Sequence, residues 1–195
     1  MPAASDSSRH LLTPHPASQQ GGVREIAVTV RCVADERLEL SYLLVGDLAS
    51  LQLPEPRPSV RTDGLWRHTC FEAFIGQPGD GEYWEYNFSP SGAWAAYRFA
   101  AYREGMAPLM RGTAPTLQCE ERADSLLLTA TLDLSGMCAP GARRPLRLGL
   151  AAVIENRSRE LSWWALAHPA GKPDFHHADG FVIELGSSAT SKLEP

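Results

Sequence analysis

The sequence predicts an all-β fold: an antiparallel, jelly-roll-like β-sandwich of about ten strands with little helix. Three observations carry this. Apolar residues recur at every second position in run after run, the period of a strand with one buried face. The runs are short and are punctuated by Gly, Pro, Asn and Asp, which supply the backbone angles of tight turns. No stretch sustains the three-to-four-residue apolar spacing of an amphipathic helix. A chain of 195 residues, 44% hydrophobic and 21% charged, suits one globular domain. That length removes roughly 70% of the unfolded surface from water.

Taken in order, residues 1–22 are rich in Ser, Pro, Ala and His and read as a disordered tail ending at Gly21 and Gly22. Residues 23–186 form the domain, and residues 187–195 read as a second flexible tail. Ile26, Val28, Val30 and Cys32 share one face of a first strand, and Leu38, Leu40, Tyr42 and Leu44 repeat the pattern after a turn at 34–36. The Pro-rich connector at 53–59 is excluded from a sheet interior, because each proline lacks a donor. Residues 69–75, 83–89 and 94–99 make a meander, joined by Gly- and Pro-bearing turns at 76–81 and 90–92. Residues 100–110 are an irregular excursion or short helix limited by Pro108. A hairpin follows at 116–122 and 125–134, with Leu126, Leu128, Ala130 and Leu132 on one face, then a helical turn at 134–137. Residues 146–155 and 160–166 form another hairpin, and 181–185 close the chain. Shared phase points Leu38, Leu40, Phe71, Leu128, Leu148 and Leu150 inward.

Composition narrows the function classes. The net charge is −5 and the arginines lie scattered among acids, which argues against a nucleic-acid partner. No run approaches the ~20 apolar residues that span a bilayer, so no membrane role is expected. Residues 1–20 lack the basic start and apolar run of a secretory signal. Cys32, Cys70, Cys119 and Cys138 are far apart and form no CxxC pair. Together these features place the protein in the cytoplasm with reduced thiols. There is no Gly-x-Ser-x-Gly elbow, no P-loop and no Gly-x-Gly-x-x-Gly. Binding is therefore expected in preference to catalysis, and no catalytic residue is assigned.

Three segments concentrate aromatic, charged and amide side chains: 65–74, 83–94 and 163–180. Alternation puts Cys70, Glu72 and Phe74 on one face, and a carboxylate between apolar neighbours calls for a partner. Arg98, on the strand that starts at Trp94, is the expected one, in a bidentate pair. Trp163 and Trp164 are adjacent on a strand and face opposite ways, so one can fill the core while the other lines a pocket. His168, His176, His177 and Asp179 make a loose set of metal-ligating types whose spacing fits no structural zinc pattern. Haem would need an axial His or Met, for which His68, His168, Met106 and Met110 are available.

The Trp before a strand reading Cys70-Phe-Glu-Ala-Phe74, the run Tyr86-Asn-Phe-Ser-Pro-Ser-Gly-Ala-Trp94 and the late Trp-rich strand together resemble the DOMON-like superfamily, in particular its branch similar to family 9 carbohydrate-binding modules. The resemblance spans residues 26–185 and is nearest a bacterial cytoplasmic subgroup of unassigned ligand. It implies a jelly-roll-like sandwich whose relatives bind sugars or haem. The sugar-binding modules often carry paired acids before the strand glutamate. This sequence has Arg67-His-Thr-Cys70 there, so no calcium site is carried over.

The expected function is thus a small-molecule-binding domain, with a carbohydrate or related polar cyclic ligand first. Flat aromatics stack on the apolar faces of sugar rings while amides and acids take the hydroxyls. The expected ligand-binding residues are Trp66, Arg67, His68, Glu72, Asn87, Arg98, Trp164, His168 and His176, with Glu85 as a further hydroxyl partner. No metal residue and no cofactor is assigned. Two alternatives stand beside this: a haem- or metal-binding protein using the late histidines, and an interaction module that contacts a partner protein or enzyme.

Overall fold

The computed structural model of the chain describes residues 7–19, 21–33, 37–79, 81–109, 114–135, 137 and 145–185. Strands β1 (Ser7–Pro14), β2 (Val23–Val33) and β3 (Arg37–Gly46) are followed by β4 (Cys70–Gly76), β5 (Tyr83–Phe88), β6 (Trp94–Phe99) and the short β7 (Ala107–Pro108). Then come β8 (Thr116–Glu121), β9 (Ser125–Asp133), β10 (Leu146–Glu155), β11 (Leu161–Ala165) and β12 (Ile183–Leu185). The only helical segments among the described residues are short 3-10 turns, including Leu65–Arg67 and Ala178–Gly180.

The strands form two layers. One runs β1-β2-β3-β9-β8; the other runs β7-β6-β5-β4-β10-β11 and returns to β1, with β12 beside β10. All named pairings are antiparallel. Strand β1 belongs to both layers. Ser7 to Leu12 pair with β2, whereas Thr13 and Pro14 pair with Ala165 and Trp164 of β11.

The expected core is in place. Leu38, Leu40, Leu128, Leu148, Leu150 and Phe71 are all buried between the layers. Full burial of each such side chain stabilises by ~1.5–3 kcal/mol. Tyr42 crosses from β3 and donates its hydroxyl proton to the Glu72 carbonyl at 2.8 Å, so the layers are also tied by a buried polar contact.

One expectation is corrected here, and of the two forms expected for residues 100–110 the irregular one is found. Residues 7–14, read as part of a tail, are a strand. Only Leu12 of this segment is buried, so its sequence shows no alternation, and its place comes from backbone pairing to β2 and β11. Residues 100–110 contain no helix among the described positions; they turn at Ala101–Glu104 and reach β7. Cys138 and Met110 lie outside the described residues.

The second layer has a second apolar surface, on the side away from the sandwich core. Cys70, Phe74, Tyr83, Ala95, Tyr97 and Phe99 form it, with Phe181 packed over them. Gly149 makes room for that cover: a Cβ there would sit 2.8 Å from the Phe181 ring and 3.1 Å from the Gly180 carbonyl. The closing segment of the chain can therefore lie flat on the sheet.

Candidate functional site

The register of the second layer sets which side chains meet on this outer surface. Glu72 lies opposite Asn87, and Glu85 lies opposite Phe74 on one side and Tyr97 on the other. Glu72 and Glu85 are therefore diagonal neighbours on adjacent strands of the same face. Ala151 lies opposite Glu72 on the other side, so Val153 and Glu155 continue the face on β10, and Trp163 extends it on β11.

Three irregular segments wall this floor. The 3-10 turn at Leu65–Arg67 presents Trp66, which meets Tyr97 edge-on at 5.9 Å. That turn is held by Asp63, which accepts from the Tyr97 hydroxyl at 2.6 Å and pairs with Arg61 at 2.9 Å. The turn after β6 brings Arg103 and Met106 to the rim. The loop after β11 brings Pro173, Phe175 and His176. Asp174 locks these two segments together: it accepts from Arg103 Nη2 at 2.7 Å, from the Tyr102 hydroxyl and from the backbone of His176. The pocket is open to solvent on one side, has a volume of about 440 Å³ and is lined by Trp66, Trp163, Glu72, Glu85 and His176 among others.

The electrostatics of the pocket follow from burial. Glu72 is 3% exposed and Glu85 5% exposed. Loss of water, followed by the neighbouring Glu85 charge, pushes the Glu72 carboxyl well above the usual carboxylate range. Glu85 is raised by burial to about 7, against the opposing pull of the Asn87 amide and of Arg103. Asn87 is fully buried, donates to Glu85 Oε1 at 2.5 Å and accepts from the Cys70 thiol at 3.4 Å. His176 is lowered to about 4, chiefly by burial and then by the Arg103 charge, so it is neutral at pH 7. The Tyr83 hydroxyl accepts from the Arg103 backbone N–H at 3.1 Å and lies 2.8 Å from His176 Nδ1. Either the hydroxyl or Nδ1 donates in this contact, according to the imidazole tautomer. Nε2 faces Glu85 Oε2 at 3.8 Å, too long for a hydrogen bond. Glu72 Oε1 is buried with no hydrogen-bond partner among the described residues.

Of the residues expected from sequence, Trp66, Glu72, Glu85 and His176 line the pocket, and Asn87 supports it from beneath. The others do not line it. Arg98 pairs with Glu82, with its Nε 2.8 Å from Oε1, on the opposite face from Glu72. The expected Glu72–Arg98 pair is thus corrected: register sets Arg98 against Trp84, which faces the core side. Trp164 is corrected too. It is buried in the sandwich core with its indole N–H donating to Ser162 at 3.0 Å, and its neighbour Trp163 faces the pocket. Arg67 is exposed on the outside of its turn. His68 points to Glu155, with its Nδ1 2.7 Å from Oε2. His168 stands edge-on to His15, its Nε2 2.8 Å from the Thr13 carbonyl. Among the described residues no three His, Cys, Asp or Glu side chains converge as metal ligands. No described helix is long and apolar enough to cross a membrane.

Comparison with known proteins adds to the fold. No protein-family model matches the chain, and no curated protein matches it. Solved structures do. A candidate carbohydrate-binding protein from Bacteroides uniformis ATCC 8492 is similar with a TM-score of 0.58 at 14% identity, over 89% of this chain and 84% of that one. A family 9 carbohydrate-binding module from Caldicellulosiruptor kristjanssonii, solved in complex with glucose, is similar with a TM-score of 0.51 at 12% identity, over 84% of this chain and 76% of that one. At these identities the likeness is one of fold. The chain is a β-sandwich of the architecture that these proteins share, with a pocket on the outer face of one layer.

Proposed function

We propose that this domain binds a small polar cyclic ligand, a carbohydrate, in the pocket on the outer face of the second layer. The observation that carries the reading is the pocket's composition. Two tryptophans on different elements, Trp66 and Trp163, share a cavity of about 440 Å³ with two buried carboxyls, of which Glu72 has one oxygen without a hydrogen-bond partner among the described residues. Flat aromatic walls suit the apolar faces of a sugar ring, and buried acceptors suit its hydroxyls. Solved structures of similar fold include one with glucose bound, which agrees with this reading.

The test is isothermal titration calorimetry against a panel of monosaccharides and short oligosaccharides. Binding is expected for the parent domain and is expected to be lost in Trp66→Ala and Trp163→Ala, with the melting temperatures of both variants near that of the parent. A panel without a ligand, or variants that bind like the parent, would overturn the proposal.

A further inference from the structure

We propose that the ligand of this pocket carries a cationic amino group seated between Glu72 and Glu85, so that the pocket takes amino sugars in preference to their neutral counterparts. This rests on the carbohydrate reading above and names the ligand class within it.

The geometry is one of missing positive charge. Glu72 and Glu85 sit diagonally on one face, each more than nine-tenths buried and both lining the cavity. Glu85 Oε1 is taken by Asn87, whereas its Oε2 makes no contact closer than 3.8 Å with His176. Glu72 Oε1 has no partner among the described residues. The nearby cation, Arg103, pulls on both carboxyls from a distance but bonds neither: its guanidinium bonds Asp174, and its side chain is about half exposed at the rim. His176 is neutral and contributes no charge. The other titratable groups that interact with the carboxyls include Tyr42 on β3, Cys70 on β4, Tyr83 on β5 and Tyr97 on β6, none of which supplies a cation.

Buried carboxylates without a counter-charge are costly, and an empty site of this kind meets the cost by holding protons. A ligand hydroxyl can hydrogen-bond a carboxyl but does not replace the missing charge. An ammonium does both: it brings three N–H donors and a unit charge to two acceptors that lie on the same side of the cavity. A metal ion would need more converging ligands than the described residues offer. On binding, the ammonium nitrogen keeps its three protons. The proton held by the carboxyls leaves to solvent, and the carboxylates become its ion partners. The affinity therefore rises with pH as fewer protons remain to be displaced.

The experiment pairs glucosamine with glucose, galactosamine with galactose, and glucosamine with N-acetylglucosamine, in calorimetric titrations of the whole chain. Each is run at about pH 6 and about pH 7, below the usual range of such amines, in two buffers of different ionisation enthalpy. At least one amine is expected to bind about tenfold or more tighter than its neutral partner, the loss typical of one charge-assisted hydrogen bond. The buffers should show net proton release, and the amine should bind more tightly at the higher pH. Glu85→Gln and Glu72→Gln should each remove most of the preference while neutral-sugar binding changes less. If Glu72→Gln does not fold, Glu85→Gln and proton release in the parent protein still decide the matter. Equal affinity for amine and neutral sugar would overturn this proposal and leave carbohydrate binding standing. Binding of cyclohexylamine without any sugar would support the cation seat and overturn the carbohydrate reading. No binding of any probe would overturn both.

Discussion

Replacing Glu85 by Gln isolates the energetic consequence of burying that carboxyl. Glu85 moves from an ordinary value of 4.5 to about 7 on folding. The folded state therefore holds a proton that the unfolded state has already released between these two values. In that window the unfolded chain binds fewer protons than the native one, so stability falls as pH rises. The contribution is fully present below pH 4.5 and is lost as pH passes about 7. At about 1.4 kcal/mol per pH unit, the span corresponds to about 3 kcal/mol. Gln is nearly isosteric and does not titrate. Urea unfolding of the parent and of Glu85→Gln, at intervals from about pH 4.5 to about pH 7.5, gives the stability difference at each pH. Groups that do not interact with Glu85 cancel in that difference, whereas Glu72, which feels the Glu85 charge, contributes to it as part of the same titrating pair. The parent should lose about 3 kcal/mol relative to the variant across the range. A difference that stays flat, or that moves in favour of the parent as pH rises, would show that Glu85 does not titrate as a buried carboxyl.

His176→Asn should show the opposite sign. Its imidazole is lowered from 6.5 to about 4, so its contribution is present above 6.5 and lost as pH falls toward 4, by about 3 kcal/mol in the same parent-minus-variant comparison. Trp164→Ala should cost ~3–5 kcal/mol in chemical denaturation, as a core truncation does, whereas Trp163→Ala should cost much less. Arg98→Ala breaks a pair whose side chains are 50% and 32% exposed, and should leave the urea midpoint and the ligand affinity in calorimetry close to those of the parent. Leu12→Ala should cost ~2–5 kcal/mol in urea unfolding if β1 is an integral strand, and nothing measurable if residues 7–14 are a tail.

The strands of the core were legible because each has one clean apolar face. Leu38, Leu40, Tyr42 and Leu44 alternate without a break, and so do Leu126, Leu128, Ala130 and Leu132; both sets are buried between the layers. β1 was not legible, since a strand that gives one side chain to the core carries no period to read. The site was partly legible for a related reason. Phase within β4 placed Glu72 correctly, but phase within one strand says nothing about its neighbour. The β4–β5–β6 register decides that Glu85 shares the face of Glu72 and that Arg98 does not. The same limit applies to Trp163 and Trp164: opposite faces followed from adjacency, but which face was the core did not. Arg103 left no signal at all, because it sits in an irregular turn with a positive φ of 55° and is held at the pocket rim by Asp174. His168 and His68 were marked by residue type alone; they bond Thr13 and Glu155, and neither lines the cavity.

The double membership of β1 bears on the order in which the molecule can be made. Thr13 and Ala165 bond across a separation of 152 residues, with the threonine hydroxyl donating to the Ala165 carbonyl at 3.2 Å. A ribosome releases residues 7–14 long before β11 exists. During that interval the segment can dock on β2 and β3 but has nothing to join on its other flank. Local hairpins such as β2–β3, β8–β9 and β4–β5 can form as they emerge, whereas the seam between the two layers must wait for one of the last strands to appear. Until then, the nascent sandwich stays open along that edge.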